Sequence, residues 1–261
     1  MPTPERKTAL ITGASFGIGL ELARIFAREG YNLVLVARTA DKLRQLASEL
    51  EKAHGTRSLI LAVDLTEPGA PAYVLDQTTR AGIDVDVLVN NAGFGQYGPF
   101  AENDLEECLR QIQLNITTLT HLTRLCLPMM IERESGRILN VASTAAFQPG
   151  PLMAVYYASK AYVLHFSEAL ANELQATGVT VTCLCPGPTA TEFQKRANLA
   201  GTRLARLGSM DAATVAEDGY RALMAGKVVA ISGFKNWLVA QSIRVAPRRM
   251  VAAVARKLQE K

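Results

Sequence analysis

The sequence predicts an α/β fold, a doubly wound parallel sheet of about seven strands with helices on both faces. Three observations point there. Short β-branched runs alternate with longer stretches of helical period along the chain, several of those runs are apolar almost throughout, and the first ends in a glycine-rich turn that opens directly into a helix. Strands apolar on both sides belong in a sheet covered on both faces. With 261 residues, 49% hydrophobic and 20% charged, the chain can fill one large core, and residues 1–261 are expected to form a single domain.

The strand candidates are Thr8–Thr12, Asn32–Ala37, Ser58–Val63, Val85–Asn90, Arg137–Ala142, Val179–Leu184 and Val228–Ile231. Helix candidates lie at 18–29, 41–53, 70–81, 103–133 with a break around Leu114–Asn115, 155–176 and 211–225. In the first helix Ile18, Leu22, Ile25 and Phe26 share a face, and Gly30 stands at the C-cap position. Neither a repeat nor a Pro/Gly/Ser linker divides the chain. No apolar run reaches the ~18 residues of a membrane span. Ala9-Leu10-Ile11 meets Thr12-Gly13 too soon for a signal peptide, so a soluble, cytoplasmic protein is expected.

Composition also excludes some classes. The four cysteines (Cys108, Cys126, Cys183, Cys185) have no metal-ligand spacing, and Cys183 and Cys185 fall on one face of a strand, too close to bridge comfortably. They read as small buried hydrophobes. His54, His121 and His165 fit no motif. The net charge of +4 is uneven: residues 235–261 carry seven basic groups against Glu260, which leaves the rest at −2 and without a nucleic-acid surface.

Thr12-Gly13-Ala14-Ser15-Phe16-Gly17-Ile18-Gly19 joins the first strand to the first helix. Glycines there allow a tight turn and let a phosphate approach the helix N-terminus, where free amides and the dipole favour negative charge. The spacing is G-x-x-x-G-x-G rather than G-x-G-x-x-G. At the end of the second strand, where an acid would bind the ribose hydroxyls of NAD, stands Arg38, whose positive fork suits a 2′-phosphate. Ser15 and Thr39 add hydroxyls, and Asp64-Leu65, closing strand three, is positioned to face an adenine. The predicted cofactor is NADP(H).

Hydride transfer to a carbonyl requires a proton for the developing alkoxide. Tyrosine, with a free pKa of ~10, serves near neutrality when a nearby ammonium favours its phenolate. Tyr156 and Lys160 are i and i+4 on one helix, a relation Tyr157 lacks. Ser143 follows the fifth strand at the carboxyl edge, where α/β ligands bind, and its hydroxyl can donate to the substrate oxygen.

These motifs, with Asn90-Asn91-Ala92-Gly93 after the fourth strand, resemble the single-domain short-chain dehydrogenase/reductase family, and its NADP(H)-preferring bacterial reductases in particular. The resemblance covers nearly the whole chain. It implies a Rossmann-like fold and a tetrad of Asn115, Ser143, Tyr156 and Lys160, with Asn115 holding a water that relays protons through the lysine. By the same resemblance Asn91, Ala92 and Gly93 contact the ribose, Asp64 the adenine, and Pro186, Gly187, Thr189 and Thr191 the nicotinamide amide and pyrophosphate. A homodimer or homotetramer is implied, with Leu119, Leu122, Leu125 and Cys126 as a plausible apolar stripe at its interface.

The function expected is interconversion of a carbonyl and an alcohol on an apolar small molecule. Phe94, Tyr97, Phe147, Met153 and Phe193 are placed at the pocket mouth, Gln96 and Gln148 are its polar contacts, and 192–210 is a substrate-binding lid rich in Lys195, Arg196, Arg203 and Arg206. One alternative is an NADP(H)-binding sensor or scaffold that kept the fold and lost turnover; such proteins usually lose the tyrosine or lysine kept here. Another, a sugar-nucleotide epimerase or dehydratase, would want different glycine spacing and a larger C-terminal domain. In the basic tail, Pro247 should start a helix whose Met250, Val251, Val254 and Leu258 make a short stripe. That helix either lies on an anionic membrane or docks on the domain with its charges in water.

Overall fold

The computed structural model describes residues 6–261 apart from 194–196, 198, 200 and 207, and omits the side chains of 205 and 206. Lys195, Arg196 and the Arg206 side chain of the expected lid therefore lie outside the described residues.

Seven strands form one parallel sheet: β1 (Thr8–Thr12), β2 (Asn32–Ala37), β3 (Ser58–Ala62), β4 (Val87–Asn90), β5 (Gly136–Val141), β6 (Val179–Cys185) and β7 (Val229–Ile231). Their spatial order is β3-β2-β1-β4-β5-β6-β7. The order reverses between β1 and β4, which opens a crevice at their carboxyl ends. Leu10 pairs with Val34 on one side and Leu88 on the other, so the strands end nearly level along that edge.

Period 2 divides the core. Ala9, Ile11, Leu33 and Leu35 face one layer, against Leu22 and Phe26 of α1 (Gly17–Arg28). Leu10, Val34 and Leu88 face the other, against Leu122 and Met130. Helices α2 (Ala40–His54) and α3 (Ala70–Arg80) complete the crossovers on that half of the sheet. The expected long fourth helix is broken where the sequence placed the break: α4 (Leu105–Ile112) passes through a π-helical turn, Gln113–Thr118, into α5 (Leu119–Glu132). Wide turns of this kind re-aim side chains and concentrate at functional sites. Helix α6 (Ala154–Glu173), the short α7 (Arg203–Arg206) and α8 (Ala212–Met224) follow.

A buried polar chain ties the layers together. The Asn90 amide donates to Thr123 Oγ1 (3.0 Å) and Asn140 Oδ1 (2.9 Å), and the Asn140 amide donates to Ser167 Oγ (2.9 Å). It links β4, β5, α5 and α6 through groups hidden from water.

Three expectations need correction. Of the expected stripe, Leu119, Leu122 and Cys126 are buried within their own chain and only Leu125 is half-exposed; the exposed large apolar residues of that helical stretch are Leu105, Leu109, Ile112, Met129 and Ile131. Helix α9 (Phe234–Ile243) was not foreseen, because most of its large apolar side chains point outward and leave no inward stripe. In the tail, Pro247 is the N-cap of α10 (Arg248–Gln259) rather than its first residue. That helix docks on the domain through Val251, Ala255 and Gln259, and Met250 and Val254 of the expected stripe stand exposed.

Replacing Asn140, which is fully buried, by alanine removes one of two acceptors of the Asn90 amide and the donor to Ser167 Oγ, which keeps its bond to Val163 O. Asn140→Ala should cost ~1–3 kcal/mol, read as a lowered urea midpoint.

Candidate active site

The crevice holds a cavity of about 720 Å³. Every residue expected to bind cofactor or act in catalysis lines it, except Gly19 and Asn115, which stand behind its wall.

At the switch point the glycine turn is clamped to the end of β4. Thr12 Oγ1 accepts from the Asn91 and Ala92 amides (3.0 Å each) and donates to Val89 O (3.1 Å). The Asn91 side-chain amide donates to the carbonyls of Thr12 (2.9 Å) and Gly13 (3.2 Å). Gly13 has φ +68°, a conformation that favours glycine, and a Cβ on Gly19 would fall on Gly13 O and the Asn91 amide. Gly19 therefore acts by letting the clamp close. Helix α1 starts at Gly17 without a side-chain cap and without an acid in its first turn, so its leading amides are open to an anion.

Arg38, about half exposed, lies at one end of the cavity. Its contact with Asp64 is loose (4.0 Å), whereas Arg110 of α4 reaches the same carboxylate oxygen at 3.3 Å. Burial works against the charge of Asp64, but bonds from the Thr66 amide and hydroxyl, with Arg38 and Arg110, outweigh it and hold the carboxyl below its ordinary range. Asp64 is thus satisfied largely without Arg38, whose guanidinium is left for another anion. Phe16 lines the cavity, with Lys42 Nζ 3.7 Å from its ring centroid. Open amides and a glycine floor fit the pyrophosphate of a dinucleotide, with the Arg38 cation beyond them.

At the other end Tyr156, Ser143 and Lys160 meet. Ser143 caps a short turn by accepting from the Ala145 amide (3.1 Å), its hydroxyl donates to Pro186 O (3.4 Å), and it is close enough to Tyr156 to act on the phenol. Burial pushes the Tyr156 phenol well above its ordinary 10, with Ser143 opposing it. Burial also lowers the Lys160 ammonium to about 8, and Nζ donates to Val141 O at 2.7 Å. Lys160 Nζ lies 5.8 Å from the Tyr156 ring centroid. The expected drop in the tyrosine's pKa is therefore not present: burial dominates, and the phenol stays protonated at neutral pH. Asn115, turned inward by the π-helical segment, exchanges hydrogen bonds with both main-chain groups of Phe94 (3.1 and 2.9 Å) and donates to Ser159 Oγ (3.0 Å). It holds the loop carrying Gly93, whose Cβ position is 3.5 Å from Lys160 Nζ.

Of the expected pocket residues Phe94, Gln148, Met153 and Phe193 line the cavity, and Tyr97, Phe147 and Gln96 do not. Phe147 packs against the buried cluster around Val163, and Gln96 accepts from Cys108 Sγ (3.3 Å). The Tyr97 hydroxyl donates to the main-chain carbonyl of Gln259 (2.8 Å). Gln259 is a residue the sequence did not reveal: it lines the cavity, and its amide donates to the Tyr157 hydroxyl at 2.6 Å. The two partners are 102 residues apart, and no local pattern connects them.

A family model described as short chain dehydrogenase matches residues 7–200. The chain is 40% identical to the very-long-chain 3-oxoacyl-CoA reductase of Phaeosphaeria nodorum over 185 residues, 69% of this chain and 54% of that protein. Across three such curated relatives the match spans only 54–65% of their length. A solved short-chain dehydrogenase from Sphingobium yanoikuyae in complex with NADPH is 33% identical with TM-score 0.82, covering 92% of this chain and 94% of that one. The bulky-bulky ketone specific alcohol dehydrogenase from Comamonas testosteroni is 30% identical with TM-score 0.78, covering 92% of each chain.

Two outcomes follow from this geometry. Tyr157→Phe strands the Gln259 amide and should lower stability by ~1–3 kcal/mol, measured by thermal denaturation, without abolishing turnover. Lys160 has a folded pKa of about 8 against an ordinary 10.5, so across that interval the unfolded chain holds more proton and stability gains with rising pH. The stability of the wild type relative to Lys160→Met should therefore rise from pH 7.5 to 9.5 in chemical denaturation, and a flat difference would contradict it.

Proposed function

Because the chain belongs to the short-chain dehydrogenase/reductase family, we propose that it is an NADP(H)-dependent oxidoreductase interconverting a carbonyl and an alcohol on an apolar small molecule. The observation that carries this reading is the meeting of Tyr156, Ser143 and Lys160 in the wall of a cavity that also exposes the weakly engaged Arg38. The cofactor supplies or takes the hydride when bound; this chain's residues bind, orient and manage the proton.

The open first turn of α1 receives the pyrophosphate, and Arg38 the 2′-phosphate. Ser143 offers its hydroxyl to the carbonyl oxygen, which orients and polarises it. Tyr156, held neutral by burial, gives its proton to the oxygen as negative charge develops there, and in the reverse direction takes it back. Lys160, buried behind Tyr156, stabilises the phenolate that proton donation leaves. Phe94, Met153 and Phe193 surround this end with apolar surface, which supports an apolar substrate. The Phaeosphaeria nodorum relative is named for reduction of a very-long-chain 3-oxoacyl-CoA and the Comamonas testosteroni structure for bulky ketones, and both names agree with that class. The Sphingobium yanoikuyae structure holds NADPH, in keeping with the role given to Arg38.

Assayed with NADPH against aldehydes, ketones and 3-oxoacyl thioesters, the wild type should turn over, and Tyr156→Phe should lose at least ~10²-fold in kcat while still binding NADPH. A variant of near wild-type activity would refute the assignment, and a wild type that binds NADPH without turnover on any substrate would favour a sensor. Arg38→Asp should shift preference from NADPH toward NADH by roughly 10–150-fold in kcat/KM, corresponding to loss of one charge-assisted contact. A wild type that already prefers NADH would remove Arg38 from this role.

A further inference from the structure

The outer sides of α9 and α10 carry a surface that neither chemistry nor core packing uses. Phe234 (72% exposed), Trp237, Leu238 and Val245 (88% exposed) stand in solvent, followed by Met250 and Val254 on α10. The Phe234 and Trp237 rings stack one turn apart, with centroids 5.9 Å apart, while buried Ala240 marks the inner side of α9. Val245 sits in the turn between the helices, so the apolar groups continue from one helix to the next.

The charge around them has one sign. No Asp or Glu occurs from Gly219 to Gln259, where eight Lys and Arg do, so the rest of the chain sums to −4. Lys235, Arg244, Arg248, Arg249 and Lys257 are exposed, and among the described residues none of them is paired with a carboxylate. A second copy of this chain would meet the same face with like charge against like, which disfavours a symmetric contact. Exposed aromatic and aliphatic groups interleaved with unpaired cations suit a surface that offers hydrocarbon beneath anionic headgroups.

We propose that the outer faces of α9 and α10 form a docking surface for an anionic lipid bilayer. Docking of α10 on the domain and contact with a membrane, opposed as alternatives in the sequence, then become compatible, since they use different sides of the helix. The inner side, through Ala255, Leu258 and Gln259, lines the cavity. The bilayer would thus lie against a wall of the site, where an apolar substrate partitions; this last link rests on the proposed function, and the docking does not.

Trp237 is the sole tryptophan, so its emission reports the contact directly. The full chain should co-sediment with phosphatidylcholine vesicles containing about 30 mol% phosphatidylserine at low salt, with a blue shift, and release at about 0.5 M NaCl. Reversing Arg248 and Arg249 to Glu should weaken binding at least ~30-fold. Phe234→Ser should weaken it at every salt concentration. Protein that stays in the supernatant at low salt, or that binds pure phosphatidylcholine equally well, overturns the proposal. A concentration-dependent blue shift without vesicles would assign the face to self-association and overturn it too. These readings need no substrate, so they stand or fall apart from turnover.

Discussion

A hydroxyl and an amide hold the carboxyl ends of β1 and β4 together, and the geometry of the site follows from that clamp. Thr12 and Asn91 satisfy one another's main-chain groups at the point where the order of the sheet reverses. In a parallel sheet this is where neighbouring connections leave toward opposite faces and open a crevice. Left unpaired, the loop amides and carbonyls there would carry the cost of buried polar groups without partners. The clamp pairs them, sets the path of the glycine turn and directs the first turn of α1 into the crevice. Arg38, Asp64, Ser143 and Tyr156 hang from strands or helices anchored to the same frame.

The proton-handling end depends on desolvation more than on attraction between charges. Tyr156 and Lys160 are both moved toward their neutral forms by burial. A protonated phenol beside a hydroxyl donor suits delivery of a proton to an oxygen that is gaining charge. The ammonium of Lys160 spends one hydrogen on Val141 O, and the π-helical turn sets Asn115 close behind. Inward polar groups at this end are fastened to main chain, which keeps their geometry fixed.

Much of this was legible in the sequence, for physical reasons that can be named. Ala9 and Ile11 against Leu10 show the period of a two-faced strand, and Gly13, Gly17 and Gly19 mark a backbone with no room for side chains. The break in the fourth helix showed as a polar Asn115 among apolar neighbours. Helix α9 was hidden because its apolar side chains face outward, contrary to the rule that periodicity relies on. Arg110 and Gln259 were hidden because their partners are distant in sequence: Asp64 lies 46 residues from the first, and Tyr157 lies 102 from the second. Tyr157 looked like a bystander to Tyr156; in the fold it anchors the C-terminal helix to the cavity wall.

One end of that anchor lies outside the stretch that the family model matches. The family match ends at residue 200, and every group assigned to hydride or proton handling lies before it. Leu204, Ala255, Leu258 and Gln259, which complete the cavity, come after it. The chain thus has two passages, one holding the chemistry and most of the cavity wall, the other closing one part of that wall. Substitutions in the second passage would therefore change what the cavity admits while leaving the proton-handling groups of the first in place.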